Sequence, residues 1–177
     1  MALIKSVRGF TPVIDPSCYL ADNASVIGDV VIGAHSSIWF QAVVRGDVNS
    51  IRIGEQVNIQ DGVIIHCTYL KSITEIGDRV SIGHRAIIHG CKIHPEVLVG
   101  MGAIIMDHAE IQSQVIVAAG ALVPEHMVLE SGFIYAGIPA RKLKPLDAEN
   151  FKFFIQRTAD NYQMYASWFE KKADSQE

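Results

Sequence analysis

The sequence predicts an all-β fold: a parallel β-helix wound from six-residue repeats, with one C-terminal α-helix packed on it. Three observations carry the prediction. Aliphatic residues recur at every sixth position from Leu20 to Val123, with few interruptions. The residue two places before each of them is small or β-branched. Near the C-terminus the pattern changes to the i, i+3, i+4 spacing of an amphipathic helix.

The first rungs of the ladder are Leu20, Val26, Ile32, Ile38 and Val44. After an insertion it resumes at Ile53, Ile59 and Ile65, and after a second at Ile76, Ile82 and Ile88. One shortened step leads to Ile93, Val99, Ile105, Ile111, Val117 and Val123. A six-residue period fits neither a helix nor an array of hairpins. It fits short parallel strands joined by tight corners, each rung turned inward. Glycine follows many rungs, as at Gly33, Gly54, Gly77, Gly83 and Gly100, and these are the expected sites of unusual corner angles. The β-helix is expected over 1–140, with Gly137 and Pro139 marking a connector. Helix is expected over 146–173, with Asp147 as N-cap. Its packed face reads Phe151, Phe154, Ile155, Thr158, Tyr162, Tyr165 and Phe169.

A chain of 177 residues suits one domain with a sizeable core. The net charge of −4 and the absence of a basic patch argue against nucleic acid as a partner. No apolar run is long enough to span a membrane, and the N-terminal stretch lacks the apolar core of a signal peptide. The three cysteines, Cys18, Cys67 and Cys91, have no framework spacing, which suits a reducing, cytoplasmic setting.

The repeat also places side chains. With three rungs per turn, Val44, Ile65, Ile88 and Ile105 fall in one column. The next residues, Arg45, His66, His89 and Met106, point outward by strand alternation. His66 and His89 are then neighbours on adjacent coils. Adjacent strands lie about 4.8 Å apart, and two imidazole nitrogens on one tetrahedral zinc sit about 3.3 Å apart. The pair therefore suits a metal. His84 lies two residues after rung Ile82, directly above Asp61, with a corner between it and His89. Two histidines leave a zinc site short of its usual three protein ligands. A neighbouring copy can present its own His84 if a head-to-tail contact closes as a three-fold ring.

The stretches VVRGDV, NIQDGVIIH, IGHRAIIHGC and VGMGAIIMD resemble the γ-class carbonic anhydrase family over about residues 10 to 145. The resemblance implies a left-handed β-helix of hexapeptide repeats, a homotrimer, and zinc, with iron(II) as the other metal suited to imidazole ligands. It implies His66 and His89 from one subunit and His84 from the next as ligands. Zinc lowers the pKa of water from about 15.7 to near 7, which suits reversible hydration of carbon dioxide to bicarbonate. The resemblance marks Gln60 and Asp61 as residues that orient water or bicarbonate. It marks Arg45 and Asp47 as an ion-pairing set near the subunit interface, and Tyr135 as an aromatic of the pocket. One departure stands out. The family's acidic proton-shuttle loop is replaced by the short stretch CTYLKSITE, with Glu75 at its end.

The remaining candidates read as structural. Cys91 occupies a small, inward position, alternation turns Cys67 away from His66, and His35, His94, His108 and His126 are expected on the surface. Two other functions fit a six-residue repeat: an acyltransferase or thioester hydrolase, and a non-catalytic metal-binding scaffold.

Overall fold

The structure, a computed structural model, describes residues 1–169; the expected helical positions 170–173 lie outside the described residues. The chain winds as a parallel β-helix of about seven turns with a C-terminal helix. The inward rungs from Val26 to Val123 are all buried, and Leu20 at the open first coil is partly so. Each fully buried isoleucine contributes about 1.5–3 kcal/mol of transfer free energy. The ladder runs two rungs beyond the expected end, through Leu129 and Tyr135, the latter in register above Val117.

The three faces differ in what they turn outward. One face carries Val43, Ile64, Ile87, Ile104 and Leu122 in register, an aliphatic stripe. The second carries Arg52, Glu75, Lys92 and Glu110, a ladder of alternating charge. The third carries Ser37, Asn58, Ser81, Leu98 and Ile116. The C-terminal helix lies over this third face. Trp39 meets Tyr162 edge-on at 5.3 Å, and Arg79 pairs with Asp160 at 3.0 Å.

Two local expectations are corrected. Gly33, Gly54, Gly77, Gly83 and Gly100 have no positive φ. The left-handed corner conformation falls two residues later, at His35, Gln56, Arg79, Arg85 and Gly102. The glycines are there because neighbouring coils approach too closely for a side chain: a Cβ on Gly83 would lie 2.6 Å from the Met101 nitrogen.

The helix, in turn, is not uniform. Asp147 caps it as expected, accepting from the Asn150 nitrogen at 2.7 Å. Phe151–Gln156 is then wound as a π-helix before regular α-helix resumes at Arg157–Ser167. The wider turn shifts the phase of the apolar stripe. Ile155, Ala159 and Ala166 are buried, while Phe154 and Phe169 are half exposed. No described helix is long and apolar enough to cross a membrane.

Candidate metal centre

The strands Ile64–His66 and Ile87–His89 pair in parallel with His66 opposite His89. Both imidazoles turn outward at the end of the aliphatic face. The His66 Nδ1 and His89 Nε2 atoms stand 3.3 Å apart. Each ring's other nitrogen meets a carboxylate. His66 Nε2 lies 3.1 Å from Asp47 Oδ1, and His89 Nδ1 lies 3.2 Å from Asp107 Oδ1. An ionised carboxylate only accepts hydrogen bonds. A neutral ring that donates to it has its second nitrogen bare. Two bare nitrogens then face each other, an arrangement that calls for a shared cation.

The electrostatics favour this protonation pattern. Burial pushes His66 below its usual value, against the pull of its bond to Asp47, and so favours the neutral ring a metal requires. For Asp47, burial opposes the charge. Hydrogen bonds from Arg45 and His66, with the Arg45 charge, outweigh it and hold the carboxyl below its usual range. Arg45 reaches Asp47 Oδ2 at 2.5 Å. For Asp107, burial again opposes, and hydrogen bonds from Ser72, Thr68 and His89 prevail.

His84 sits at the corner between the helix-covered face and the aliphatic face, with its Nδ1 2.8 Å from Asp61 Oδ2. Its backbone nitrogen donates to Gln60 Oε1 at 3.2 Å, and the Gln60 amide donates to Asn58 at 3.0 Å. Each of the three candidate histidines thus has its own aspartate: Asp47, Asp61 and Asp107. Among the described residues, no group of three His, Cys, Asp or Glu side chains comes close enough to hold a metal within one chain. The donor set, two facing imidazole nitrogens backed by carboxylates, fits part of an imidazole-bound divalent cation site.

No family model matches the chain. Among curated proteins, it is 42% identical over 156 residues to gamma carbonic anhydrase 1, mitochondrial, of Arabidopsis thaliana, covering 85% of this chain and 56% of that protein. It is 50% identical over 139 residues to a probable carbonic anhydrase of Methanocaldococcus jannaschii, covering 78% of this chain and 87% of that one. The chain belongs to the γ-class carbonic anhydrase family. It spans little more than half the length of the Arabidopsis relatives. Among solved structures, a hexapeptide transferase family protein from Anaplasma phagocytophilum superposes with a TM-score of 0.90 at 37% identity, covering 94% of this chain and 98% of that one.

Within this γ-class carbonic anhydrase family member, one expectation changes. Tyr135 is not brought to the histidines. It is the last inward rung, 3% exposed, and its hydroxyl accepts from the Glu130 nitrogen at 2.9 Å. An aromatic there plugs the end of the core. Asp61 engages His84 because the two stack at one corner, where the Arg85 nitrogen donates to the Asp61 carbonyl at 2.9 Å. Glu75 lies around a corner from the histidine pair, on the charged face, 3.8 Å from Lys92.

The other cysteines and histidines take structural places. Cys67 and Cys91 are buried in the core, and burial pushes the Cys91 thiol up to about 12. His94 pairs with Glu110 at 2.7 Å, and His108 stacks on His126 with ring centres 4.9 Å apart. Asp107, with Thr68 and Ser72, was not singled out by sequence reasoning. The signal for it was available. Asp107 stands two residues after rung Ile105, as Gly90 does after Ile88, so the column places it one coil above Gly90 and beside His89.

Proposed function

We propose that the protein is a metal-dependent carbonic anhydrase acting as a homotrimer. Each metal is held by His66 and His89 of one chain and by the equivalent of His84 in the next. The observation that carries the reading is the 3.3 Å gap between two imidazole nitrogens whose opposite nitrogens are already committed to Asp47 and Asp107. Zinc, or iron(II), when bound supplies the Lewis acidity that brings the pKa of water near 7, for attack on carbon dioxide. Arg45 and Asp47 hold His66. Asp61 and Gln60 hold His84, one through its ring and one through its backbone. The free amide hydrogen of Gln60 remains to orient water or bicarbonate.

The trimer is supported by the chemistry of the faces. One face is covered by the helix and one is a ladder of charge. The third bears an uncovered aliphatic stripe, on which Ile64 and Ile87 are 38% and 37% exposed. That stripe is bounded at one end by the His66/His89 pair and at the other by the His84 corner. Three prisms turning this face toward a common axis bring unlike ends together at every junction.

The test is complementation between two dead variants. His84→Ala and His66→Ala trimers each lack a complete site. Random mixed assembly yields about three-quarters mixed trimers, each with one intact junction, so about a quarter of all sites recover. Metal binding and carbon dioxide hydration are expected in the mixture alone. No recovery in verified mixed trimers sinks the shared site.

One observation favours acyl transfer as a second reading. His84 and Gln60 line an apolar cavity of about 500 Å³ with Leu98, Ile116, Phe154 and Tyr162, far larger than carbon dioxide needs. Acyl turnover without metal dependence would select that reading.

A further inference from the structure

We infer that Asp107 is a positioning residue that dictates which nitrogen of His89 carries the proton, and that the loop between Cys67 and Thr74 holds Asp107 in place. Asp107 is buried, 5% exposed, and its carboxylate has three hydrogen-bonding partners within the protein. Its Oδ2 accepts from the Thr68 hydroxyl at 2.9 Å, and its Oδ1 accepts from the Ser72 hydroxyl and lies 3.2 Å from His89 Nδ1. An acceptor-only group at Nδ1 requires the proton there and leaves Nε2 bare toward His66.

The loop is built to supply these two hydroxyls. It closes on itself: the Lys71 and Ser72 nitrogens donate to the Thr68 carbonyl at 3.1 and 3.2 Å, and the Thr68 nitrogen donates to Ser72 Oγ at 3.0 Å. Gly90 is an independent sign of a built site. It has φ +58, and a Cβ there would lie 2.7 Å from Ser72 Cβ and closer still to Asp107 Oδ1 and Ser72 Oγ. The bare Cα is the space through which loop, carboxylate and His89 meet. A segment that replaces an acidic loop thus has work of its own. It fixes the orientation and tautomer of one candidate ligand before any metal arrives.

The metal arm of this inference rests on the proposed site; the tautomer arm does not. The first measurement is the side-chain nitrogen NMR spectrum of His89 in the metal-stripped, ¹⁵N-histidine-labelled full chain. His89 is expected as the Nδ1–H tautomer. Asp107→Ala is expected to release it toward a mixture. The second measurement is zinc affinity by chelator competition. Asp107→Ala is expected to bind about 10–100-fold more weakly. Ser72→Ala is expected to fall between it and wild type, and Leu70→Ala, at an exposed loop position, to match wild type. If Asp107→Ala fails to fold, Asp107→Ser, too short to reach His89, replaces it. An Nε2–H tautomer in the wild-type protein overturns the inference. So does an unchanged tautomer and affinity in the folded variant. A wild-type chain that binds neither zinc nor iron(II), yet shows the tautomer shift, overturns the proposed metal function and leaves the positioning role standing.

Discussion

Replacing Gly90 with alanine separates two costs that a left-handed corner combines. Gly90 and Gly102 both have positive φ, +58 and +66. Around Gly102 a Cβ would meet nothing within 4 Å, so Gly102→Ala reports backbone strain alone. That strain is about 1–2 kcal/mol, partly offset by the gain of about 0.4–1 kcal/mol from a stiffer unfolded chain. The fold tolerates such strain elsewhere, since His108 and His126 adopt left-handed corners on the following coils at φ +59 and +61.

At Gly90 the added methyl meets Ser72 Cβ at 2.7 Å, where carbon atoms prefer about 3.5–4.0 Å. Forcing that contact apart costs about 1–3 kcal/mol as overpacking. Displacing the Asp107 carboxylate from Ser72 and His89 loses hydrogen bonds worth about 1.5–3 kcal/mol each. Gly90→Ala is therefore expected to cost about 3 kcal/mol or more beyond Gly102→Ala. For a chain of this size that is about 6–12 °C in Tm. The assay is thermal unfolding by circular dichroism at one fixed protein concentration, since the proposed assembly would make Tm concentration-dependent. Zinc affinity should fall with it in Gly90→Ala and stay unchanged in Gly102→Ala. Equal Tm values for the two variants would show that Asp107 and Ser72 retreat freely, and the account of a fixed network would be wrong.

Other perturbations probe the rest of the molecule. Ile88→Ala removes a fully buried rung and should cost about 2–5 kcal/mol; a loss below 1 kcal/mol in urea unfolding would contradict the core. Ile87→Ala, its outward neighbour, should spare the fold and loosen assembly, giving a lower mass by sedimentation at low concentration. Ile87→Ala trimers as tight as wild type would count against the aliphatic face as the interface. Burial raises Cys67 and takes Cys91 to about 12, so a thiol reagent at pH 8 should leave both untouched in native protein and find three thiols after denaturation. Labelling of native Cys91 would contradict its burial. Acid should destabilise the metal-free chain. His66 is held below 6.5, and Asp47 and Asp107 below 3.8, so the unfolded state takes up protons first. Stability from His66 is full above pH 6.5 and is lost as the pH falls below it. That from the two aspartates is full above about pH 3.8 and is lost below. A Tm that rises between pH 7 and pH 4 would refute the assignment.

The fold was legible because a strict period carries distances. His66 and His89 are 23 residues apart, with a loop between them. Counting the loop as one hexad still put them on adjacent strands, and the structure pairs them directly. The same count put His84 over Asp61, and in the structure His84 Nδ1 lies 2.8 Å from Asp61 Oδ2. Legibility failed where the period did. The π-helical stretch Phe151–Gln156 has no signature in an i, i+3, i+4 pattern, so Phe154 was placed on the buried face. Tyr135 keeps the six-residue spacing, yet its aromatic side chain hid it from a search for aliphatic rungs.

The site was half legible for a related reason. Outward positions one residue past a rung stack in one column, and on this face that column holds the histidine pair. The next position on the same face, two past the rung, is the one that carries the carboxylate behind it. That column runs Gly46, Cys67, Gly90, Asp107, and its glycine leaves the room that a carboxylate on the next coil fills. Thr68 and Ser72 belong to an insertion, and no period assigns them a place. Their partnership with Asp107 depends on how the loop closes, which rests on hydrogen bonds rather than on apolar spacing. A repeat can therefore specify which ligands stand together without specifying what orients them. Here the orienting groups are three aspartates. Asp61 reaches its histidine from the stacked residue one coil away, Asp47 from a long strand, and Asp107 only because a loop outside the repeat holds it there.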